Sequence, residues 1–560
     1  MTKSRCETSD PVEPASGTRK SPTRRELLGG SVAALSGWLL APALLGSTEM
    51  AVASGMSMKT SSPTETDRLA RAYELRMKAA RHARELGAAA HPTNDDEALP
   101  GHLATFTKGL PHDALGLVDA KAYAVLARAL ATGDPHAFES IPLGGFVKLA
   151  NPQASWAYDL VGVDASQLAM PPPPRFSSAE QAGELVELYW HARLRDVPFA
   201  EWDDSSVVAR ACEDLSALSD FLGPKVDGRV TPATLFRGPS AGMLTGPYLS
   251  QFLLQELPLL PVEIEQRIRT AAPGKDYLTD EESWLAVQNG GLTGVNEFDE
   301  TRRFIRGGRD LGEYVHRDLT YQAYLGACLM ALRLGAMPDG GNPYKHSRTQ
   351  APFTTFGPPF FIYLLAVVTQ VALKTTWYEK WRVHRRLRPE EMGGRVEMHL
   401  AGKASFPIHQ ELLDSAALEE TRKRQGSALL AQAFPEGCPT HPSYPAAHAV
   451  IAGACATVLK ACLDEKHVIP EPVVAAADGL SLKPWKGDPL TVGGELDKLA
   501  ANIAIGRNFA GVHWRSDGIE GLRLGEAVAV ELLSEVTLTG NEMFEGFSLQ
   551  RFDGKRVSVG

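Results

Sequence analysis

Three separated stretches of this 560-residue chain hold the side chains best suited to chemistry. They are Lys380-Trp-Arg-Val-His384-Arg-Arg-Leu-Arg388-Pro389, Pro439-Thr-His441-Pro-Ser-Tyr444-Pro445-Ala446-Ala447-His448, and Gly506-Arg507-Asn-Phe-Ala-Gly-Val-His513-Trp-Arg-Ser-Asp517. Together they supply cations, imidazoles and a helix N-terminus. That inventory suits a buried tetrahedral oxyanion such as phosphate or vanadate.

Lys380 and Arg388 are eight residues apart, which is about 12 Å along an unbroken helix. Both reach one anion only if the helix ends between them, and Pro389 biases Arg388 out of helical geometry. Arg388 would then offer a bidentate fork and Lys380 a point charge. The remaining basic residues of that run read as solvated or ion-paired.

Pro445 reads as the first turn of a helix, leaving the N–H groups of Ala446, Ala447 and His448 free to face an anion. His448 beside it would act as a general acid or base. In the third stretch Arg507 adds a cation. Asp517 lies four residues after His513 and could hold one ring nitrogen so that the other faces the anion. Each stretch alone also reads blandly, as a capped helix or a solvated basic run. Their conjunction is what points to one site.

The elements that must carry these residues read as helices. Helical patterning covers Asp67 to about Ala89, Leu185 to Arg195, Ser205 to Leu222, Tyr314 to Gly335, Phe360 to Trp381, Pro445 to about Leu463 and Ile519 to Leu538. Few segments alternate with period two. The expected fold is all-α: helical bundles, in two four-helix-bundle-like halves, around a buried oxyanion site. The apolar Phe360 to Trp381 segment reads as a core helix rather than a membrane span. Met170-Pro-Pro-Pro-Pro174 marks a stiff connection. It divides an N-terminal helical region, 67–175, from a core, 176–540, with 541–560 as a C-terminal tail.

Ser21-Pro-Thr-Arg24-Arg25 leads into a stretch free of charge from Leu27 to Thr48, followed by Ala51-Val-Ala53. This resembles a twin-arginine export signal over 1–53, with a disordered linker over 54–66. Export to the periplasm or beyond is the expectation. The formal charge of -10 argues against nucleic acid or an anionic membrane as the main partner. No C-x-x-C occurs, so no zinc or dithiol motif is present. Cys455 and Cys462, about 10.5 Å apart along one helix, cannot pair. Cys212, Cys328 and Cys438 are expected as buried thiols, with Cys438 placed to pair if a partner were near.

The spacing of Lys380 and Arg388, the Pro-Thr-His441-Pro-Ser-Tyr-Pro run and Asn502-Ile-Ala-Ile-Gly-Arg507-Asn resemble vanadium-dependent haloperoxidases, in particular the bromoperoxidases of marine algae. The superfamily also includes acid phosphatases of the phosphatidic-acid-phosphatase type 2 class. Phe106-Thr-Lys-Gly-Leu-Pro111-His112, Phe236-Arg-Gly-Pro, Gly246-Pro-Tyr-Leu-Ser-Gln-Phe252, Gly307-Gly-Arg-Asp310 and Asn342-Pro-Tyr344 extend the resemblance over most of residues 100–540.

The resemblance implies a vanadate cofactor bonded to His513, the metal ligand, with Lys380, Arg388 and Arg507 neutralising its oxygens. It gives His448 the deprotonation of hydrogen peroxide, and Lys380 the polarisation of the bound peroxide that oxidises halide to a hypohalous-acid equivalent. His441 matches a histidine of the bromoperoxidases, which favours bromide and iodide over chloride. A homo-oligomer is the family expectation, and a small organic acceptor is compatible with it. Glu379 occupies a position where the family varies, and an acidic group there would repel halide if exposed.

One departure stands out. The family has Ser-Gly before the histidine where this chain has Ala446-Ala447. The lost hydroxyl is expected to weaken oxyanion binding by about 1.5–3 kcal/mol, and the Ala447 methyl to crowd an approach that glycine permits. Two alternatives follow from the same residues. One is an exported acid phosphatase with His513 as nucleophile and His448 as acid. The other is an oxyanion-binding protein with lost or altered turnover.

Overall fold

The computed structural model describes residues 65–259, 261–336 and 338–560. The expected export signal, 1–53, and the linker up to residue 64 lie outside the described residues. Residues 65 and 66, expected in the linker, open the first helix, Glu65–Leu86. Residues from Glu65 to Gly560 form one compact unit.

Small residues build the centre. The helix Ala447–Cys462 is buried along almost its whole length and packs against Arg515–Thr537, Pro358–Tyr378 and Val492–Phe509. Its contact with Arg515–Thr537 is backbone-close. A Cβ at Gly525 would lie 2.0 Å from the Val450 carbonyl oxygen, and one at Gly453 2.1 Å from that of Leu522. Glycine is therefore required at both positions, because interiors leave no room for an added methyl. A second group surrounds Ala179–Leu194, which packs on Ser206–Ala217 and Ala416–Gln425. The expected helical-bundle class is the observed one. Strands are confined to four two-stranded antiparallel sheets among the described residues.

The apolar run Pro358–His384 is long enough to cross a bilayer. It instead lies against Ala447–Cys462 with Leu364, Leu365, Val368 and Ala372 buried. Its last turn widens into a π-helix, Glu379–His384, and ends at Arg385 with φ 35° in the left-handed region. The next helix, Pro389–Leu400, starts with proline in its first turn. The chain thus breaks between Lys380 and Arg388 at Arg385, before the proline acts. Phe106 meets Trp381 edge-on, with centroids 5.7 Å apart, and docks the N-terminal segment on this turn.

Two further differences bear on the site. The segment expected as one helix over 314–335 is two, Gly308–Arg317 and Gln322–Arg333, and the break places Asp318 at the first helix's C-cap. Residues 541–560 carry a hairpin, Phe547–Gln550 with Arg556–Val559, whose Phe547, Leu549 and Val559 are buried. The five described cysteines are free and buried, as expected of Cys212, Cys328, Cys438, Cys455 and Cys462.

Candidate active site

Three cations converge where the π-turn, the 436–446 loop and the ends of two helices meet. Lys380 Nζ donates to the carbonyls of Pro442 and Ser443, both at 2.7 Å. Arg388 Nε donates to the His441 carbonyl at 2.9 Å, and one terminal nitrogen to that of Val512 at 2.7 Å. The same nitrogen lies 3.0 Å from His513 Nε2, and the other lies 2.9 Å from His441 Nδ1. Arg507 donates to the Val315 carbonyl at 2.8 Å, and its Nε is buried with no partner. Among the described residues, the hydrogen-bond partners of all three are carbonyls and imidazoles, never a carboxylate.

This excess of buried positive charge acts on its own members. Burial first, then Arg388 and Arg507, pulls the Lys380 pKa well below the ordinary lysine range. Burial and Arg388 lower Arg507 to about 10. Cations removed from water without a paired counter-charge are strongly disfavoured. An oxyanion among them would supply both the missing charge and an acceptor for Arg507 Nε, so the chemistry of these residues fits vanadate.

His513 is held for one role. Its Nδ1 lies 2.8 Å from Asp517 Oδ2, which leaves Nε2 towards Arg388 and the cation cluster. Burial, then Arg388, Lys380 and Arg507, keeps the ring well below its ordinary pKa and therefore neutral, with a lone pair to give. Asp517 is fully buried and serves several donors: the Trp514 N–H at 3.1 Å, the Ser443 hydroxyl and Arg386 at 2.9 Å. Arg386 continues to Gln181 at 2.7 Å and Glu184 at 2.6 Å, tying the site to the helix Ala179–Leu194. Its sequence context suggests one more solvated or paired cation of a basic run; in the fold it is the buried strut behind His513. His441 is buried against Arg388, and its ring lies 5.0 Å from that of Trp377.

His448 stands in the first turn of Ala447–Cys462, with Nε2 3.1 Å from Asp318 Oδ1. Burial and Arg507 lower its pKa, and Asp318 opposes them. No motif spacing marks Asp318, because it reaches His448 only through the helix break at 318–321. The N-terminus itself differs from expectation. Ala446 is the N-cap, and its N–H donates to the Asp517 carbonyl at 3.0 Å. Pro445 therefore lies before the cap, and Ala446 has no N–H left for an anion. The free N–H groups start at Ala447 and His448. Glu379, expected to repel halide if exposed, is fully buried and turned towards His91 and His384.

The arrangement has known relatives. The VCPO second helical-bundle domain matches residues 361–540, which hold every residue named in the expected site. The vanadium-dependent bromoperoxidase of Ascophyllum nodosum is 36% identical over 483 residues, spanning 81% of this chain and 86% of that protein. That of Corallina officinalis is 34% identical over 585 residues, spanning 87% and 98%. The solved homohexameric second vanadate-dependent bromoperoxidase of Ascophyllum nodosum superposes with a TM-score of 0.85 at 29% identity, covering 96% of each chain. With the cation cluster, the Asp-held histidine and this similarity along most of its length, the chain belongs to the vanadium-dependent bromoperoxidase family.

Proposed function

We propose that this protein is a vanadate-dependent haloperoxidase that uses hydrogen peroxide to oxidise bromide or iodide to a hypohalous-acid equivalent. The observation that carries the proposal is the buried trio Lys380, Arg388 and Arg507 around the neutral Nε2 of His513, with no acidic side chain among the described residues hydrogen-bonded to any of the three. Vanadate, when bound, supplies a Lewis-acid centre that activates peroxide towards halide.

The chain's own part follows from its geometry. His513 Nε2 would be the ligating nitrogen, because Asp517 holds Nδ1. Lys380, Arg388 and Arg507 would hold the oxyanion oxygens. Lys380 and Arg507 are pre-set by carbonyl contacts, whereas Arg388 would turn from His513 Nε2 to the oxyanion on binding. The Ala447 N–H adds the helix-terminal donor. Asp318 accepts from His448 Nε2 and so leaves Nδ1 able to take a proton from incoming peroxide. His441, packed on Arg388, matches a histidine of the bromoperoxidases, consistent with bromide or iodide as substrate. A small organic acceptor needs no dedicated pocket, since the oxidised halogen diffuses.

Export through a twin-arginine route, supported by Arg24-Arg25 and the Ala51-Val-Ala53 site, belongs to the same proposal, as does a homo-oligomeric state like that of the solved relative. The deciding experiment reconstitutes the apoprotein with orthovanadate and follows peroxide-dependent oxidation of bromide, iodide and chloride. Activity with bromide or iodide that requires vanadate is expected. Absence of oxidation at saturating vanadate and peroxide would contradict it.

A further inference from the structure

Directly behind Lys380 the chain buries a carboxylate that takes no part in the oxyanion cluster. Glu379 is fully buried, with Oε1 3.0 Å from His91 Nδ1 and Oε2 3.3 Å from His384 Nε2. The two ring nitrogens thus lie within ion-pair distance of the two carboxylate oxygens, one on each. The other cation of the π-turn, Arg382, is engaged elsewhere, stacked 3.7 Å over Trp156. A carboxylate withdrawn from water requires a cation beside it. The groups beside it are the imidazoles of His91 and His384, and contact with Glu379 raises the His91 pKa against the opposing effect of burial.

The placement of the three residues matters more than their charge. Glu379 and His384 are the first and last residues of the π-helix that carries Lys380. His91 belongs to the N-terminal segment and is anchored by the Ser166 carbonyl, 3.1 Å from its Nε2. A π-turn is a rare geometry, found mostly as single turns within α-helices. Contacts that join its two ends and fix it to a separate segment would set where its second residue points. That residue is Lys380, whose Nζ must stay on the Pro442 and Ser443 carbonyls to face an oxyanion.

We propose that Glu379, together with His91 and His384, is a positioning device that clamps the π-turn and thereby places Lys380 for oxyanion binding. The inference rests on the vanadate site proposed above. It assigns to Glu379 a role in binding the cofactor rather than one in repelling halide.

The test titrates apoprotein with orthovanadate, following affinity by calorimetry and the bound ion by its vanadium-51 resonance. Glu379→Gln keeps the volume and removes the charge. It is expected to weaken binding by about 10–100-fold, the usual effect of losing an outer-shell partner, and to move the resonance. Glu379→Asp should recover part of both. His91→Gln should weaken binding as well. The double substitution should be no worse than Glu379→Gln alone, because residues acting as one unit are not additive. Wild-type affinity and an unmoved resonance in a folded Glu379→Gln protein would overturn the inference, and so would additive effects. If Glu379→Gln does not fold, His91→Gln decides alone, with wild-type affinity and an unmoved resonance as the refuting result. Failure of the unsubstituted protein to bind orthovanadate would instead refute the proposed function, and this inference with it.

Discussion

At the scale of single residues, the proposed chemistry rests on His513 and its surroundings. His513→Ala removes the neutral lone pair that Asp517 aims into the cation cluster, and should reduce vanadate-dependent halide oxidation to background while the apoprotein stays folded by circular dichroism. Ala446 offers a test in the opposite direction. Its side chain is buried beside the site, and its N–H is already given to Asp517, so only a side-chain donor can be added there. Ala446→Ser should tighten orthovanadate binding by about tenfold or more, from one charge-assisted bond of about 1.5–3 kcal/mol. Calorimetry showing unchanged or weaker binding would mean that the methyl is not a deficit. Asp318 is the contribution that raises the His448 pKa against burial. Removing it in Asp318→Asn lowers that pKa further. Because His448 acts as a base when neutral, the acid limb of the pH–rate profile should move to lower pH, along with a fall in kcat. A limb moved to higher pH would disprove the assignment.

At the scale of elements, the site depends on breaks rather than on regular helix. Helix propensity and periodicity predict the long helices well, since their apolar faces repeat along the chain. They do not show that 314–335 is interrupted, nor that the Lys380 helix widens into a π-turn. Both irregularities meet partners distant in sequence: His448 at Asp318, and His91 with Phe106 at the turn. Arg386 is the clearest case of a strut between elements. It joins Gln181 and Glu184 on one helix to Ser516 and Asp517 at the start of another, all buried. Arg386→Met would strand two buried carboxylates and should destabilise the protein by about 3–5 kcal/mol. Chemical denaturation would measure this. A change below about 1 kcal/mol, on the order of a surface substitution, would show that the network is dispensable.

At the scale of the whole molecule, the oxyanion cluster lies inside one compact unit that includes segments from Phe106 to Asp517. The C-terminal hairpin belongs to the same unit through Phe547, Leu549 and Val559. The overall negative charge contrasts with the concentrated positive site, so anion capture depends on the local cluster and not on long-range attraction. A homo-oligomer is expected in solution. Light scattering coupled to size exclusion should give a multiple of the chain mass, and a monomer at micromolar concentration would contradict this.

The residues proposed for the chemistry are legible from the sequence: Lys380, Arg388, His441, His448, Arg507 and His513 stand in three motifs of fixed order, and the structure brings all six together. Each motif, ten to twelve residues long, reads blandly alone, and it is their conjunction and the family resemblance it carries that point to one site. What those six residues lean on is decided by tertiary structure. Asp318, Arg386 and the Glu379–His91–His384 group are ordinary charged residues in sequence. They become supports only where the fold removes them from water and leaves each with a partner from far along the chain. The Ala446 N–H shows the same principle in reverse. Sequence predicts a free donor at a helix start, and a carbonyl contributed by Asp517 takes it.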